Sequence, residues 1–182
     1  MALEEINPMP ELDASSSIYS NDTPPESLAT GNTNDEDENP FERMTISSAV
    51  PWPGSTYIIR SAGSAQVLTL LDGQVVLDLS SGRGSIYWQC VETKGWLGFR
   101  DPASGLFMGH DMYARLGCTA KRHSEWESFC ARMTPNGGYV LLMTQWGKLW
   151  PLGVRSENGV QRLEKVDKAV DEGLVWDFVK VA

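Results

Sequence analysis

The chain has 182 residues and a formal net charge of −9, room for one ordinary domain and an extension. The charge is unevenly placed: residues 1–45 hold eleven acidic side chains and one basic one, Arg43, and sum to −10, whereas the remainder sums to +1. A near-neutral domain without a Lys/Arg cluster is a poor binder of nucleic acid, where phosphate neutralisation supplies most of the affinity, and no apolar run approaches the ~18 residues needed to cross a bilayer.

Taken in chain order, residues 1–50 read as a disordered acidic tail. Pro8, Pro10, Pro24, Pro25 and Pro40 fall here with the run Asp35-Glu36-Asp37-Glu38, and Tyr19 and Phe41 are the aromatics of residues 1–45. Such a segment buries too little apolar surface to offset its ordering entropy. Its start has neither a basic nor an apolar leader region. Three cysteines, Cys90, Cys118 and Cys130, make an odd count, so the expectation is a soluble, cytoplasmic chain with free structural thiols. Pro51-Trp52-Pro53-Gly54 marks the boundary, with Trp52 expected to pack against the domain as a plug.

From residue 51 the sequence repeats itself three times. Ile59, Phe99 and Leu141 anchor the copies, and eight residues later come the apolar pairs Val67-Leu68, Phe107-Met108 and Leu149-Trp150. A short turn lies between anchor and pair in each copy, so each opens with a β-hairpin. Val76, Leu116 and Leu163 mark a third strand. Tyr87–Val91, Trp126–Cys130 and Val175–Val179 read as an aromatic-led fourth, with Trp88, Trp126 and Trp176 supplying core. Three units are too few for a β-propeller. They can instead close a small barrel without a free edge. The expected fold is therefore all-β, a β-trefoil over residues 51–182 with pseudo-repeats at roughly 56–95, 96–138 and 139–182.

Gly105-Leu106-Phe107-Met108-Gly109-His110-Asp111, with Phe129 and Phe178 in the fourth strands, resembles the fascin-like branch of β-trefoils. The stretches around Trp96–Asp111 and Arg122–Trp150 also resemble small single-trefoil proteins of filamentous fungi. That resemblance implies an intracellular binding or scaffolding module with a protein partner, actin or another cytoskeletal protein being one candidate. Cross-linking needs two filament sites held together, so a single trefoil implies binding at most.

No catalytic constellation stands out. His110-Asp111 and His123-Ser124-Glu125, with Cys118 between them, could suggest acid–base or metal chemistry. They lack a nucleophile–base pairing and the short paired spacings of a zinc site, and we read them as structural. The expectation is accordingly no enzyme, no cofactor and no metal. A carbohydrate ligand is the alternative to a protein partner, although the Gln-x-Trp tripeptide of trefoil lectins does not occur in the chain. Trp146 is the sharpest anomaly, since the alignment sets it on Ser64 and Ser104 inside the first hairpin turn. Either it is a recognition anchor or it folds back onto Trp150. Arg100, Asp101, His110, Asp111 and Tyr113 are expected to flank it and, with Trp146 and Trp150, form the candidate binding patch.

Overall fold

The computed structural model describes residues 48–181 apart from 81, 82, 158, 168 and 170–172. The acidic tail expected over 1–50 lies almost wholly outside the described residues. Twelve strands follow in order: β1 (Thr56–Ser61), β2 (Gln66–Leu71), β3 (Gln74–Leu79), β4 (Tyr87–Thr93), β5 (Trp96–Arg100), β6 (Phe107–His110), β7 (Leu116–Ala120), β8 (Phe129–Met133), β9 (Tyr139–Gln145), β10 (Lys148–Glu157), β11 (Val160–Lys165) and β12 (Val175–Val181). Among the described residues helix is limited to a three-residue 3-10 turn at Glu125–Glu127. The domain is all-β.

Antiparallel pairing links β1 to β4, β4 to β5, β5 to β8, β8 to β9, β9 to β12, and β12 back to β1. Six strands thus close a ring with no unpaired edge, which removes the template for edge-to-edge aggregation. The other six form the hairpins β2–β3, β6–β7 and β10–β11. These touch one another through β3–β7, β3–β11 and the Arg115–Glu164 bridge.

Alternating side chains point into the ring, as a half-buried strand requires. In β1 the inward set is Tyr57, Ile59 and Ser61; in β4 it is Trp88 and Cys90; in β12 it is Trp176 and Phe178. The three anchors Ile59, Phe99 and Leu141 are each fully buried on the first ring strand of their unit. Phe178 stacks on Phe99 at 5.8 Å and meets Tyr57 and Tyr139 edge-on, while Phe99 also touches Phe129 at 5.7 Å. Burying each such ring contributes about 2–3 kcal/mol, with a further ~1 kcal/mol for the aromatic pairing. The Trp88 indole N–H donates to the Leu68 carbonyl at 3.0 Å, tying the ring to the first hairpin.

Three expectations change here. Trp52 is 70% exposed and plugs nothing. Trp126 is not strand and not core: it sits in the 3-10 turn, 44% exposed, and the strand begins only at Phe129. The third repeat is also out of step. Arg60 pairs with Val67 and Arg100 with Phe107, seven residues on, but Leu142 pairs with Pro151, nine residues on. The β9–β10 hairpin is therefore two residues longer than β1–β2 and β5–β6. Its buried counterpart of Leu68 and Met108 is Leu152, and Leu149 stays 41% exposed. His110 accordingly matches Leu70 and Val154.

Candidate functional site

The 3-10 turn is built by its own sequence. Ser124-x-x-Glu127 forms a capping box: the Glu127 carboxylate accepts from the Ser124 backbone N–H at 3.0 Å and from its hydroxyl, which satisfies donors otherwise orphaned at the turn's start. Ser128 Oγ donates to the Ser124 carbonyl at 2.7 Å, and Thr144 Oγ1 donates to the Glu125 carbonyl at 2.6 Å. The turn lies directly on β6 because position 109 is glycine. A Cβ there would stand 2.9 Å from Glu127 Oε1 and 3.0 Å from the Trp126 carbonyl, so the turn would have to shift to make room.

His110, at the end of β6, fixes the Trp126 side chain. The imidazole is almost wholly buried and stacks on the Trp126 ring at 5.4 Å and 20°. Its Nδ1 lies 2.9 Å from the Asp111 carbonyl and its Nε2 2.6 Å from the Thr144 carbonyl. The next residues form a tight loop around the Asp111 carboxylate. It accepts from the Tyr113 and Arg115 N–H groups at 2.8 and 3.0 Å and from Arg115 Nε at 3.2 Å. The Arg115 guanidinium stacks over Tyr113 at 4.9 Å.

A cleft of about 420 Å³ opens here, lined by Trp126, His110, Asp111, Arg115, Glu127 and Gln74 among others. A second, of about 560 Å³, is lined by Trp96, Leu149, Lys94, Lys148, Glu125 and His123 among others. His123 lies flat over Gly98, where a Cβ would stand 2.8 Å from its ring, and stacks on Phe107 at 5.8 Å. Burial pushes its pKa down, against the opposing pull of Glu127.

The residues singled out from sequence do not form one patch. His110 and Asp111 share the first cleft, and Tyr113 stands beside it on the same loop. Arg100 and Asp101 hold the β5–β6 turn instead. Arg100 Nε donates to the Gly105 carbonyl at 2.9 Å, and the buried Asp101 carboxylate accepts from Ser104 N–H at 2.6 Å. Burial opposes the charge on Asp101. Hydrogen bonds from the Ser104 and Ser85 hydroxyls and the Ser104 and Ala103 N–H groups outweigh it, and the carboxyl sits below its ordinary value. Trp150 is half-buried beneath the Lys165 ammonium, 4.3 Å away. Trp146 occupies the tip of the lengthened β9–β10 hairpin, 78% exposed and with φ 53°, so it does not fold back onto Trp150.

Trp126, Arg115, Glu127 and Gln74 were not legible as site residues. The capping box was the available signal for Trp126, since Ser-x-x-Glu marks a helical turn and not a strand. Among the described residues no group of three or more His, Cys, Asp or Glu side chains is arranged to hold a metal ion, and no helix is long and apolar enough to cross a membrane.

No family model matches the chain, and no curated protein matches it. Solved structures do. A GlcNAcα1-4Gal-releasing endo-β-galactosidase from Clostridium perfringens superimposes with a TM-score of 0.57 at 12% identity, over 70% of this chain and 33% of that one. A GH43 β-1,3-galactosidase superimposes with a TM-score of 0.58 at 13% identity, over 74% of this chain and 28% of that one. The chain thus spans about a third or less of the enzymes it resembles, and the likeness is one of fold. Neither is a fascin-like, actin-binding or fungal single-domain protein, and both are carbohydrate-active enzymes. The fascin-like resemblance, the fungal relatives, the actin-binding scaffold and the expectation of no enzyme are all overturned by this finding.

Proposed function

We propose that residues 51–182 form a β-trefoil domain, behind an acidic segment at 1–50, and that the cleft beside Trp126 binds carbohydrate, galactose-containing glycans being the first class to test. The closed six-strand ring and the three touching hairpins support the fold reading. The pinned ring of Trp126 carries the functional one. One of its faces rests on His110, and the side chain remains 44% exposed beside Asp111, Arg115 and Gln74. A sugar ring has an apolar C–H face and a hydroxyl edge. The first stacks on a rigid aromatic, and the second exchanges charge-assisted hydrogen bonds with a carboxylate and a guanidinium. An aromatic already immobilised loses little entropy on binding. The two galactosidase likenesses point to the same ligand class.

The test is a glycan array with the wild-type chain and Trp126→Ala. We expect galactose-terminated glycans to be retained by the wild type and lost by the variant, with the melting temperature within a few degrees because the ring is half outside the core. Equal retention by both proteins would contradict the assignment of the cleft.

A second reading, hydrolysis of the bound glycan, is favoured by one observation: two carboxylates, Asp111 and Glu127, line the same cleft, and glycoside hydrolysis uses such a pair. Release of free sugar from galacto-oligosaccharides by the wild type, absent in Glu127→Gln, would establish it. No release would leave recognition alone.

A further inference from the structure

The second cleft shares the 3-10 turn with the first. His110 lines one and Thr144 the other, and the 3-10 turn contributes Trp126 and Glu127 to one side and Ser124 and Glu125 to the other. We propose that the second cleft holds a carboxylate-bearing sugar unit of the same oligosaccharide, whose chain crosses the turn from cleft to cleft. This rests on the carbohydrate reading of the first cleft.

Three observations carry it. Trp96 and Leu149 line the cleft 38% and 41% exposed, an apolar surface left open at the mouth of a concave site. Lys94 and Lys148 are exposed at its edges, and neither is in an ion pair among the described residues. Against Glu125 they leave one positive charge in excess, since depression of its pKa keeps His123 uncharged near neutral pH. Finally, the hairpin that supplies Lys148 and Leu149 is the one lengthened by two residues, and it carries Trp146 next to the cleft. An aromatic placed at φ 53° and left 78% exposed breaks two local rules at once, as binding positions do. A single anionic sugar matches this set. Its carboxylate meets the lysines and its ring meets Trp96.

The test is isothermal titration of the full chain at low salt with galactotetraose and with a tetrasaccharide of the same linkages carrying one terminal galacturonate. We expect the charged ligand to bind about tenfold more tightly, an advantage that shrinks as salt rises. The exposed double variant Lys94→Asn/Lys148→Gln should bind both ligands equally. Equal affinity of the wild type for the two ligands, or an advantage that survives in the double variant, would overturn the proposal while leaving the first cleft intact. Absence of binding by either ligand would remove the carbohydrate reading itself. Trp96→Ala gives a second readout: it should weaken the charged tetrasaccharide and leave galactose monosaccharide binding unchanged.

Discussion

The Nε2 atom of His110 lies 2.6 Å from the carbonyl oxygen of Thr144, thirty-four residues further along the chain, and this contact links a residue lining the first cleft to one lining the second. It joins β6 to β9 and holds the imidazole flat against Trp126. The other ring nitrogen also faces a carbonyl, that of Asp111, and a ring carrying one N–H satisfies a single carbonyl at a time. Replacing His110 with Gln leaves the Thr144 carbonyl able to find a donor but removes the ring beneath Trp126. We expect a loss of about 1–2 kcal/mol in stability and a larger proportional loss of glycan affinity, read by thermal melting and titration on the same sample.

Trp146 gives a prediction with opposite signs. Asn tolerates the left-handed conformation that costs a bulky residue about 1–2 kcal/mol, and Asn-Gly is the preferred pair for a two-residue hairpin turn. Trp146→Asn should therefore raise the melting temperature by a few degrees while weakening oligosaccharide binding. A variant that melts lower would place the side chain among stabilising contacts instead.

The pH dependence of stability follows from His123. Its folded pKa lies below the ordinary 6.5, so below that pH the unfolded chain binds more protons than the folded one. The contribution of this residue is full above about pH 6.5 and is lost as the pH falls through the folded value. Urea midpoints measured from pH 7.5 downward should decline below about pH 6.5, and His123→Gln should flatten that slope. A midpoint that rises on acidification over this range would contradict the assignment.

The thiols should react unequally. Burial, with Glu92 adding to it, pushes Cys90 up to about 12, and burial, aided by Asp101, pushes Cys118 up to about 11. Neither forms a thiolate near neutral pH, and only the thiolate is nucleophilic. Cys130 is half-buried. Intact mass after brief alkylation near neutral pH should show one adduct, on Cys130, and three only in denaturant.

The fold was more legible than the site, for a physical reason. Burial on one face of a strand imposes a period of two and a repeated anchor, so Ile59, Phe99 and Leu141 announce themselves in the sequence. The β9–β10 hairpin misled because its two extra residues shift the buried position from Trp150 to Leu152 without breaking the apolar pattern. The site depends on contacts between distant segments, such as His110 with Thr144 and Gly109 beneath Glu127, which no local period encodes. Trp126 looked like core because a large aromatic usually is; the capping box around it carried the contrary signal. The hairpin-tip position of Trp146 was legible, since the repeat alignment sets it on Ser64 and Ser104 inside the first turn, and the side chain is exposed there. The fascin-like resemblance rested on short strand-end elements, and the solved structures point elsewhere.

The most direct test of the carbohydrate reading is a heteronuclear NMR titration of the folded domain with a galactose-containing oligosaccharide, following the indole N–H signals assigned by single Trp→Phe variants. The account predicts saturable shifts at Trp126, with the core indoles of Trp88 and Trp176 unmoved. Saturable shifts elsewhere with Trp126 silent, or no shift at millimolar ligand, would contradict it.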